Sequence, residues 1–365
     1  MKIIQLIQKP QLRGAEIFAC QLSNHLLEKG IEVLVVSIFK GDSNLPFKGE
    51  LLELNRPISK RFTDITGWKE FSKIVKSFKP DIIQANAADT LKFAVSSKFI
   101  FSWNTPIIFR NANKMGDFID SKFKWALNKF YISKLDYVIS VSKECEKDFI
   151  KTFQYPLEKI RTVYIGVEES EGHNKPDDLR EIMEKGKLVT HIGSFVPEKN
   201  QSGLIDIFKQ ILGKNPDAQL LLIGKGKLEN EMKQKVLSLN LQNNVHFLGY
   251  RNDVLDILYY SHAFVLPSFI EGLPAVILEA MYCETPVVAY NVGGIGEVVI
   301  SDKTGWLVAK NDQDSFVKSL LEIMTEQPKI EEHISRAKLM VSQNFMNTII
   351  ADRFLDCYKY VSKQT

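Results

Sequence analysis

The sequence predicts an α/β protein built from two doubly wound parallel sheets, and three observations carry that expectation. Short Ile- and Val-rich runs alternate with longer amphipathic stretches, the rhythm of repeated strand–helix–strand units. The rhythm breaks once, over residues 166–186, and then resumes. A chain of 365 residues also exceeds what one hydrophobic core normally organises, so two domains are expected.

Taken in order, KIIQLIQ (2–8), IEVLVVSIF (31–39), DIIQA (81–85), TPIIFR (105–110) and DYVISVS (136–142) read as buried strands. They are short and rich in Ile and Val, as parallel strands covered on both faces are. AEIFACQLSNHLLEKG (15–30) places apolar residues at 17, 18, 22, 26 and 27, one helical face, with Gly30 as a stop. GVEESEGHNKPDDLREIMEKG (166–186) has no buried run and dense charge, and reads as a linker with one short helix. A second series follows: KLVTHIG (187–193), AQLLLIG (218–224), NVHFLG (244–249), AFVLP (263–267), TPVVAY (285–290) and GWLVA (305–309). MNTIIADRFLDCYKYVSKQT (346–365) reads as a final helix. The expected domains are therefore 1–166 and 167–345, two Rossmann-like sheets facing each other across a cleft. Ligands of open α/β sheets bind at the carboxyl ends of the strands.

Composition is that of a folded globular protein, 45% hydrophobic and 25% charged, which excludes global disorder. The net charge of +3 is unevenly spread: residues 1–170 hold 26 Lys and Arg against 19 Asp and Glu. A basic N-terminal half suits phosphates, nucleic acid, an anionic membrane surface or simply a solvated face. SKFKWALNKFYISK (121–134) is the basic, aromatic stretch that nucleic-acid binding would need. A basic amphipathic helix of this kind also suits anionic lipid headgroups. Cys20, Cys145, Cys283 and Cys357 stand far apart, which excludes a paired-thiolate zinc site and fits a reducing compartment. The start is too short for a signal peptide, and no run approaches the roughly 18 apolar residues of a spanning helix. The expectation is a cytoplasmic protein, peripheral at the inner membrane surface.

The stretch FIEGLPAVILEAMYCETPVVAY (269–290) carries the chemistry. Glu271 and Glu279 are separated by seven residues. The strand AFVLP ends at Pro267, and Pro274 suits the first turn of a helix, where its missing N–H costs nothing. Glu271 then lies in the loop before a helix and Glu279 inside it. The first N–H groups of that helix are unpaired and the dipole favours an anion. A phosphate fits there, with the carboxylates accepting bonds from sugar hydroxyls. A carboxylate that merely complements the helix dipole is the plainer alternative.

SFIEGLPAVILEAMYCETPVVAYNVGGIGEVV (268–299) resembles the hallmark of retaining GT-B glycosyltransferases of family 4, the group 1 glycosyl transferases. That pattern is E-G-x-P-x-x-x-L-E-A-M, a P-V-V strand, then G-G-x-x-E. The resemblance extends to THIGSFVPEKNQSGLIDIF (190–208), which is similar to the family's G-R-x-x-x-E-K-G loop, and to RGAEIFACQLSNHLLEKGIEV (13–33), similar to its first loop and helix. It covers essentially the whole chain. It implies that Glu271 binds hydroxyls of the transferred sugar, Glu279 the ribose, and Lys199 the diphosphate. Gly14 would let backbone N–H groups approach the phosphates. Ser194 would stand in the diphosphate loop, and Gly272, Leu273, Pro274 and Ala275 would line the donor. Residues 249–253 and 274–277 would form walls for base and sugar. The donor would be a nucleotide-diphosphate sugar, UDP in preference to GDP, used without a metal or other cofactor. The acceptor would be a glycan or a lipid-linked glycan in cell-surface polysaccharide synthesis. The last helix would return to the N-terminal domain.

The chain departs from that pattern at several places. Ser194 stands where the family often has arginine, leaving Lys225, Arg251 or Arg13 as substitute cations. Arg110, followed by Asn111, stands where the family often has a histidine. It becomes a catalytic candidate as a phosphate holder for donor or lipid-linked acceptor, or else a surface arginine at a strand end. The frequent H-x-H reads Gln84-Ala85-Asn86, the junction N-G-V-D reads Ile165-Gly166-Val167-Glu168, and Glu284 replaces a small residue. These departures keep open a GT-B nucleotide- or glycan-binding protein without transferase activity, whereas an epimerase would need added acid/base groups. Asp312-Gln313-Asp314 reads as helix capping rather than a metal motif. His191, His246 and His262 read as core or pocket-wall residues.

Overall fold

The structure is a computed structural model that describes residues 1–170, 172–325 and 327–364. Glu171, Glu326 and Thr365, which fall in the expected linker, second domain and last helix, lie outside the described residues. The chain divides into two compact units, Met1–Glu168 with Met346–Thr365, and Glu169–Phe345.

The first unit has a seven-stranded, all-parallel sheet of β1 (Lys2–Ile7), β2 (Glu32–Phe39), β3 (Glu50–Arg56), β4 (Ile82–Ala85), β5 (Ile107–Asn111), β6 (Tyr137–Ser140) and β7 (Ile160–Thr162), in the order 3-2-1-4-5-6-7. Helices α1 (Gly14–Glu28), α2 (Ile65–Phe78), α3 (Ala88–Phe101), α4 (Lys122–Ile132) and α5 (Lys143–Phe153) connect the strands. The central strands are buried along nearly their whole length because helices cover both faces. α1 stops as expected, with Gly30 at φ +75° just past the helix. The edge strands β3 and β7 were not among the expected runs. β3 alternates between exposed and half-buried residues, and β7 has three residues, so neither shows the apolar signature of a covered strand.

The second unit begins with α6 (Arg180–Lys185), the short helix expected in the linker. Its six parallel strands are β8 (Leu188–Ile192), β9 (Gln219–Ile223), β10 (Val245–Gly249), β11 (Ala263–Leu266), β12 (Val287–Tyr290) and β13 (Trp306–Val308), in the order 10-9-8-11-12-13. All six coincide with expected runs. Helices α7 (Gln201–Leu212), α8 (Glu229–Ser238), α9 (Val254–Tyr259), α10 (Ala275–Tyr282), α11 (Gln313–Ile323) and α12 (Pro328–Asn344) surround it. Asp312 caps α11, its carboxylate accepting from the Ser315 N–H at 3.0 Å.

The final helix, α13 (Asn347–Ser362), belongs to the first unit. Its Phe354 packs on Phe18 of α1 with ring centroids 5.7 Å apart. Its Tyr358 hydroxyl donates to Gln84 Oε1 at 2.7 Å and accepts from Gln5 Nε2 at 3.1 Å, inside the sheet face.

Candidate active site

Within the second unit, three loops at the carboxyl end of the sheet are tied together around Glu271. β8 runs out at Ile192 into Gly193, Ser194 and the buried Phe195. Phe195 donates its N–H to the Lys225 carbonyl (3.2 Å), fastening this loop to the one after β9. A single turn, Pro197–Lys199, then leads into α7. Asn200 ends it in the left-handed region (φ +52°), caps α7 by accepting from Gly203 N–H, and donates to the Pro267 carbonyl at 3.0 Å. Asparagine tolerates that conformation and supplies both bonds. A backbone bond from Phe269 N–H to the Glu198 carbonyl (2.7 Å) completes the seam. Lys199 is thereby aimed at the loop after β11, where its Nζ lies 2.5 Å from Glu271 Oε1.

The opposite side of Glu271 is fixed by glycine. Gly293 takes φ +56°, and a Cβ there would collide with the Glu271 carbonyl oxygen. Gly294 N–H donates to the Gly272 carbonyl at 2.5 Å. This close approach is the physical content of the Gly-Gly pair that follows β12. Glu271 is 7% exposed, its charge compensated by Lys199. Leu273 is buried beneath the turn. Pro274 sits one position earlier than expected, as the N-cap of α10 rather than in its first turn, and no side chain caps that helix. Ile277 N–H returns to the Pro274 carbonyl, while Ala275 and Val276 are half-buried at the helix mouth.

Glu279 lies one turn inside α10 and is half-buried. Burial alone pushes its carboxyl up to about 7. The same environment raises the Tyr250 phenol, by burial first and by the Glu279 charge second. Tyr250 follows β10 and is exposed, which brings an aromatic edge of the 249–253 segment into electrostatic reach of Glu279.

His191 is a scaffold residue. Burial holds its imidazole down at about 4, so it is neutral, and its Nδ1 lies 2.9 Å from the Val265 carbonyl. Nδ1–H is then the donor, and Nε2 accepts from Gln201 Nε2 at 3.3 Å. Gln201 also donates to the Ser194 carbonyl (2.9 Å), clamping the diphosphate-loop candidate. His246 contacts Gln219 Oε1 at 2.8 Å. His262 departs from the expected interior position: it is exposed, and its Nδ1 accepts from Leu188 N–H at 3.0 Å.

The substitute cations fare differently. Arg251 is engaged by two carboxylates: Nε bonds Asp253 at 2.8 Å, Nη1 bonds Asp178 at 2.5 Å, and Nη2 contacts both. Those bonds hold its pKa above the usual arginine range. It is committed to bracing the turn before α6 (Asp177–Leu179) against the β10–α9 turn rather than presented to an anion. Lys225 is exposed, with its side chain running past Gly249.

The remaining candidates belong to the first unit. Gly14 opens α1, and a Cβ there would meet nothing within 4 Å, so this chain's own packing does not demand glycine. Arg13 beside it is exposed. Arg110 is not a surface arginine. It is 2% exposed, lies over the Phe18 ring at 4.8 Å, and its Nε and Nη1 have no hydrogen-bond partner. Burial brings its guanidinium down to about 10, opposed by Glu16. Glu16, in the first turn of α1, is itself buried, and burial raises its carboxyl while Gln11 donates to it at 3.1 Å. Sequence reasoning overlooked Glu16, Gln201 and Asn200. The last had a readable signal, an asparagine directly before an amphipathic helix. Among the described residues, no three His, Cys, Asp or Glu gather closely enough to hold a metal ion.

Two Rossmann-type parallel sheets, one in each unit, are the architecture of the GT-B class. Residues 177–340 match the family description Glycosyl transferases group 1, and residues 12–171 match Glycosyltransferase Family 4. The chain belongs to the GT-B glycosyltransferases of family 4. It is 26% identical over 344 residues, 88% of each chain, to N,N'-diacetylbacillosaminyl-diphospho-undecaprenol alpha-1,3-N-acetylgalactosaminyltransferase of Campylobacter jejuni. It is 29% identical to UDP-Gal:alpha-D-GlcNAc-diphosphoundecaprenol alpha-1,3-galactosyltransferase of Escherichia coli, spanning 65% of this chain and 63% of that one. Its fold matches Anabaena HepE solved with UDP and glucose, with a TM-score of 0.84 at 22% identity, covering 98% of this chain and 99% of that one. No helix among the described residues is long and apolar enough to cross a membrane.

Proposed function

We propose that the protein transfers a sugar, with retention, from a UDP-sugar to a glycan or lipid-linked acceptor in cell-surface polysaccharide synthesis. The second unit holds the donor and the first unit the acceptor. The observation that carries this reading is the Lys199–Glu271 pair, 2.5 Å apart beside the uncapped mouth of α10, with Glu279 one turn inside. Lys199 and the α10 N–H groups stabilise the diphosphate as it departs, the electrostatic contribution expected where negative charge develops on a leaving group. Glu271 accepts hydroxyls of the moving sugar and Glu279 those of the ribose. The bond from the anomeric carbon to the phosphate oxygen breaks. The acceptor oxygen bonds the same face of that carbon, and its proton passes to the departing phosphate oxygen. No protein nucleophile takes part and no metal or cofactor is invoked.

Support for the donor and acceptor classes comes from the relatives. The Escherichia coli enzyme is named for UDP-Gal and a diphosphoundecaprenol acceptor, and HepE was solved with UDP. Arg110, whose Nε and Nη1 have no hydrogen-bond partner, serves as the anion holder that stands in for the family's histidine. The protein works in the cytoplasm at the inner membrane surface.

A second reading, a binding protein without transferase activity, is favoured by Ser194 in place of arginine and by the commitment of Arg251 to Asp178 and Asp253. Turnover of UDP-sugars separates the two. The transferase reading expects Glu271→Ala to lower donor turnover by about 100-fold or more while nucleotide binding survives. A wild-type protein that binds UDP-sugars and turns none over, in transfer or slow hydrolysis, selects the second reading.

A further inference from the structure

Exposed Phe and Trp side chains are not scattered over this molecule. Among the described residues, Phe62, Phe99, Phe118, Phe123, Trp125 and Phe130 are the exposed ones, and all fall between residues 62 and 130 of the first unit. Single exposed apolar residues are ordinary, whereas a concentration of this kind marks an interaction surface.

α4 is the centre of it. Only Ile132 of its eleven residues is buried. It is held on its inner edge by polar contacts, Trp125 Nε1–H donating to the Thr152 carbonyl at 2.8 Å and the Tyr131 hydroxyl 3.3 Å from Ser96 Oγ of α3. Phe123, Leu127 and Phe130, at i, i+4 and i+7, then form one outward stripe. Phe123 is 75% exposed and Phe130 is 48% exposed. Phe99, one turn beyond Ser96 on α3, is 71% exposed.

The charge around the stripe is predominantly positive. Residues 91–134 contain seven lysines against two aspartates and no glutamate. Lys129 lies 5.0 Å from the Trp125 ring and Lys134 5.7 Å from the Phe130 ring. The acidic neighbours are Asp120, bonded to Lys124 at 2.7 Å, Asp117, near Lys114, and Asp136, 3.4 Å from Lys98 of α3. Lysine is depleted from protein–protein interfaces. Phenylalanine flanked by lysine is instead the composition of helices that lie in the headgroup region of an anionic bilayer.

We propose that the face formed by α4 and the C-terminal half of α3 docks on an anionic lipid bilayer, with Phe123, Phe130 and Phe99 entering the interface and the lysines meeting lipid phosphates. The inference deepens the transferase reading, on which its biological meaning rests: a lipid-linked acceptor is reached from the surface that holds it.

The test is co-sedimentation of the full-length protein with phosphatidylcholine vesicles, with and without phosphatidylglycerol. Partition onto phosphatidylglycerol vesicles alone is expected, weakening with salt because surface charges are screened. The pair Phe123→Ser/Phe130→Ser should lower partition by at least tenfold, and Lys122→Glu/Lys129→Glu by more. Leu237→Ser, on the second unit, should leave it unchanged. An unaltered thermal midpoint and an unaltered UDP-induced shift show that each variant is folded. Partition that is absent, equal on both vesicle types, or indifferent to the stripe variants overturns the proposal. So does a wild-type dimer that the Phe123→Ser/Phe130→Ser pair converts to monomer without any lipid binding, which assigns the face to a second copy. A wild-type protein that partitions but shows no nucleotide-induced shift overturns the transferase reading and leaves the docking face standing.

Discussion

Glu279 has burial as its only perturbing influence, and that isolates what it contributes. A carboxyl raised to about 7 binds a proton in the folded state that the unfolded chain has already lost. Stability therefore falls as pH rises from about 4.5 to about 7, and the loss persists above that window. Glu279→Gln should raise the thermal midpoint at pH 8, with the gain fading toward pH 4.5, while weakening nucleotide binding by roughly 1–3 kcal/mol. A ribose diol donates to the charged form, so affinity for a UDP-sugar should climb as pH passes upward through about 7. The diphosphate of a nucleotide sugar does not titrate there, and the slope should vanish in Glu279→Gln. Calorimetry at pH 6 and pH 8 reads both effects. Lys199 carries a different expectation. Lys199→Ala leaves Glu271 buried and unpaired, which costs about 3–5 kcal/mol, whereas the double replacement Lys199→Ala/Glu271→Ala should recover much of that in a denaturant titration. Glu271 and Glu279 were expected from their spacing around Pro274 and Lys199 from the loop after β8, and the fold brings Lys199 and Glu271 together. Glu16 was not legible, since a first-turn acid on a helix looks like ordinary dipole complement until Arg110 is found buried beside it.

At the scale of elements, covered strands announce themselves and edge strands do not. All six strands of the second sheet coincide with apolar runs, and the two unexpected strands of the first sheet are both at its edges, where half the side chains meet solvent. Turn chemistry was partly readable: Gly30 and Gly293 sit at positive φ, where glycine costs least. Glu284 is the departure with a structural consequence. It follows α10 and Cys283 in the left-handed region at φ +60°, where a small residue is expected, and its carboxylate pairs with Lys338 of α12. Both side chains of that pair are nearly half exposed, so the pair contributes little. Glu284→Gly should therefore stabilise the second unit by up to about 1 kcal/mol by relieving strain. A thermal midpoint lowered by the change would show that the ion pair outweighs the backbone.

At the scale of the whole molecule, the chain leaves the first unit and returns to it at adjoining points. Val167 and Met346 form a parallel β-bridge, and Asn347 Nδ2 donates to Glu168 Oε1 at 2.7 Å, with His25 Nε2 3.0 Å from the other carboxylate oxygen. α13 is then locked by Tyr358 to Gln5 and to Gln84, which stands in the place of the frequent H-x-H. Tyr358→Phe would strip those buried amides of a partner, costing roughly 1–3 kcal/mol, and should leave nucleotide affinity unchanged. Two-domain organisation was legible from the single break in strand rhythm. The buried setting of Arg110 was not, because a strand-end arginine reads equally as solvent-exposed until α1 and α13 are folded over it.

The central claim is that the carboxylate site of the second unit exists for a nucleotide-diphosphate sugar. The most direct measurement is a thermal-shift panel of the purified protein with UDP, GDP, ADP and their sugar conjugates. Ligand at about 100 times its dissociation constant adds about 2.7 kcal/mol of apparent stability. The account predicts a shift with UDP and UDP-sugars that Glu279→Ala markedly reduces. No shift with any nucleotide, or a shift that Glu279→Ala leaves intact, would contradict it.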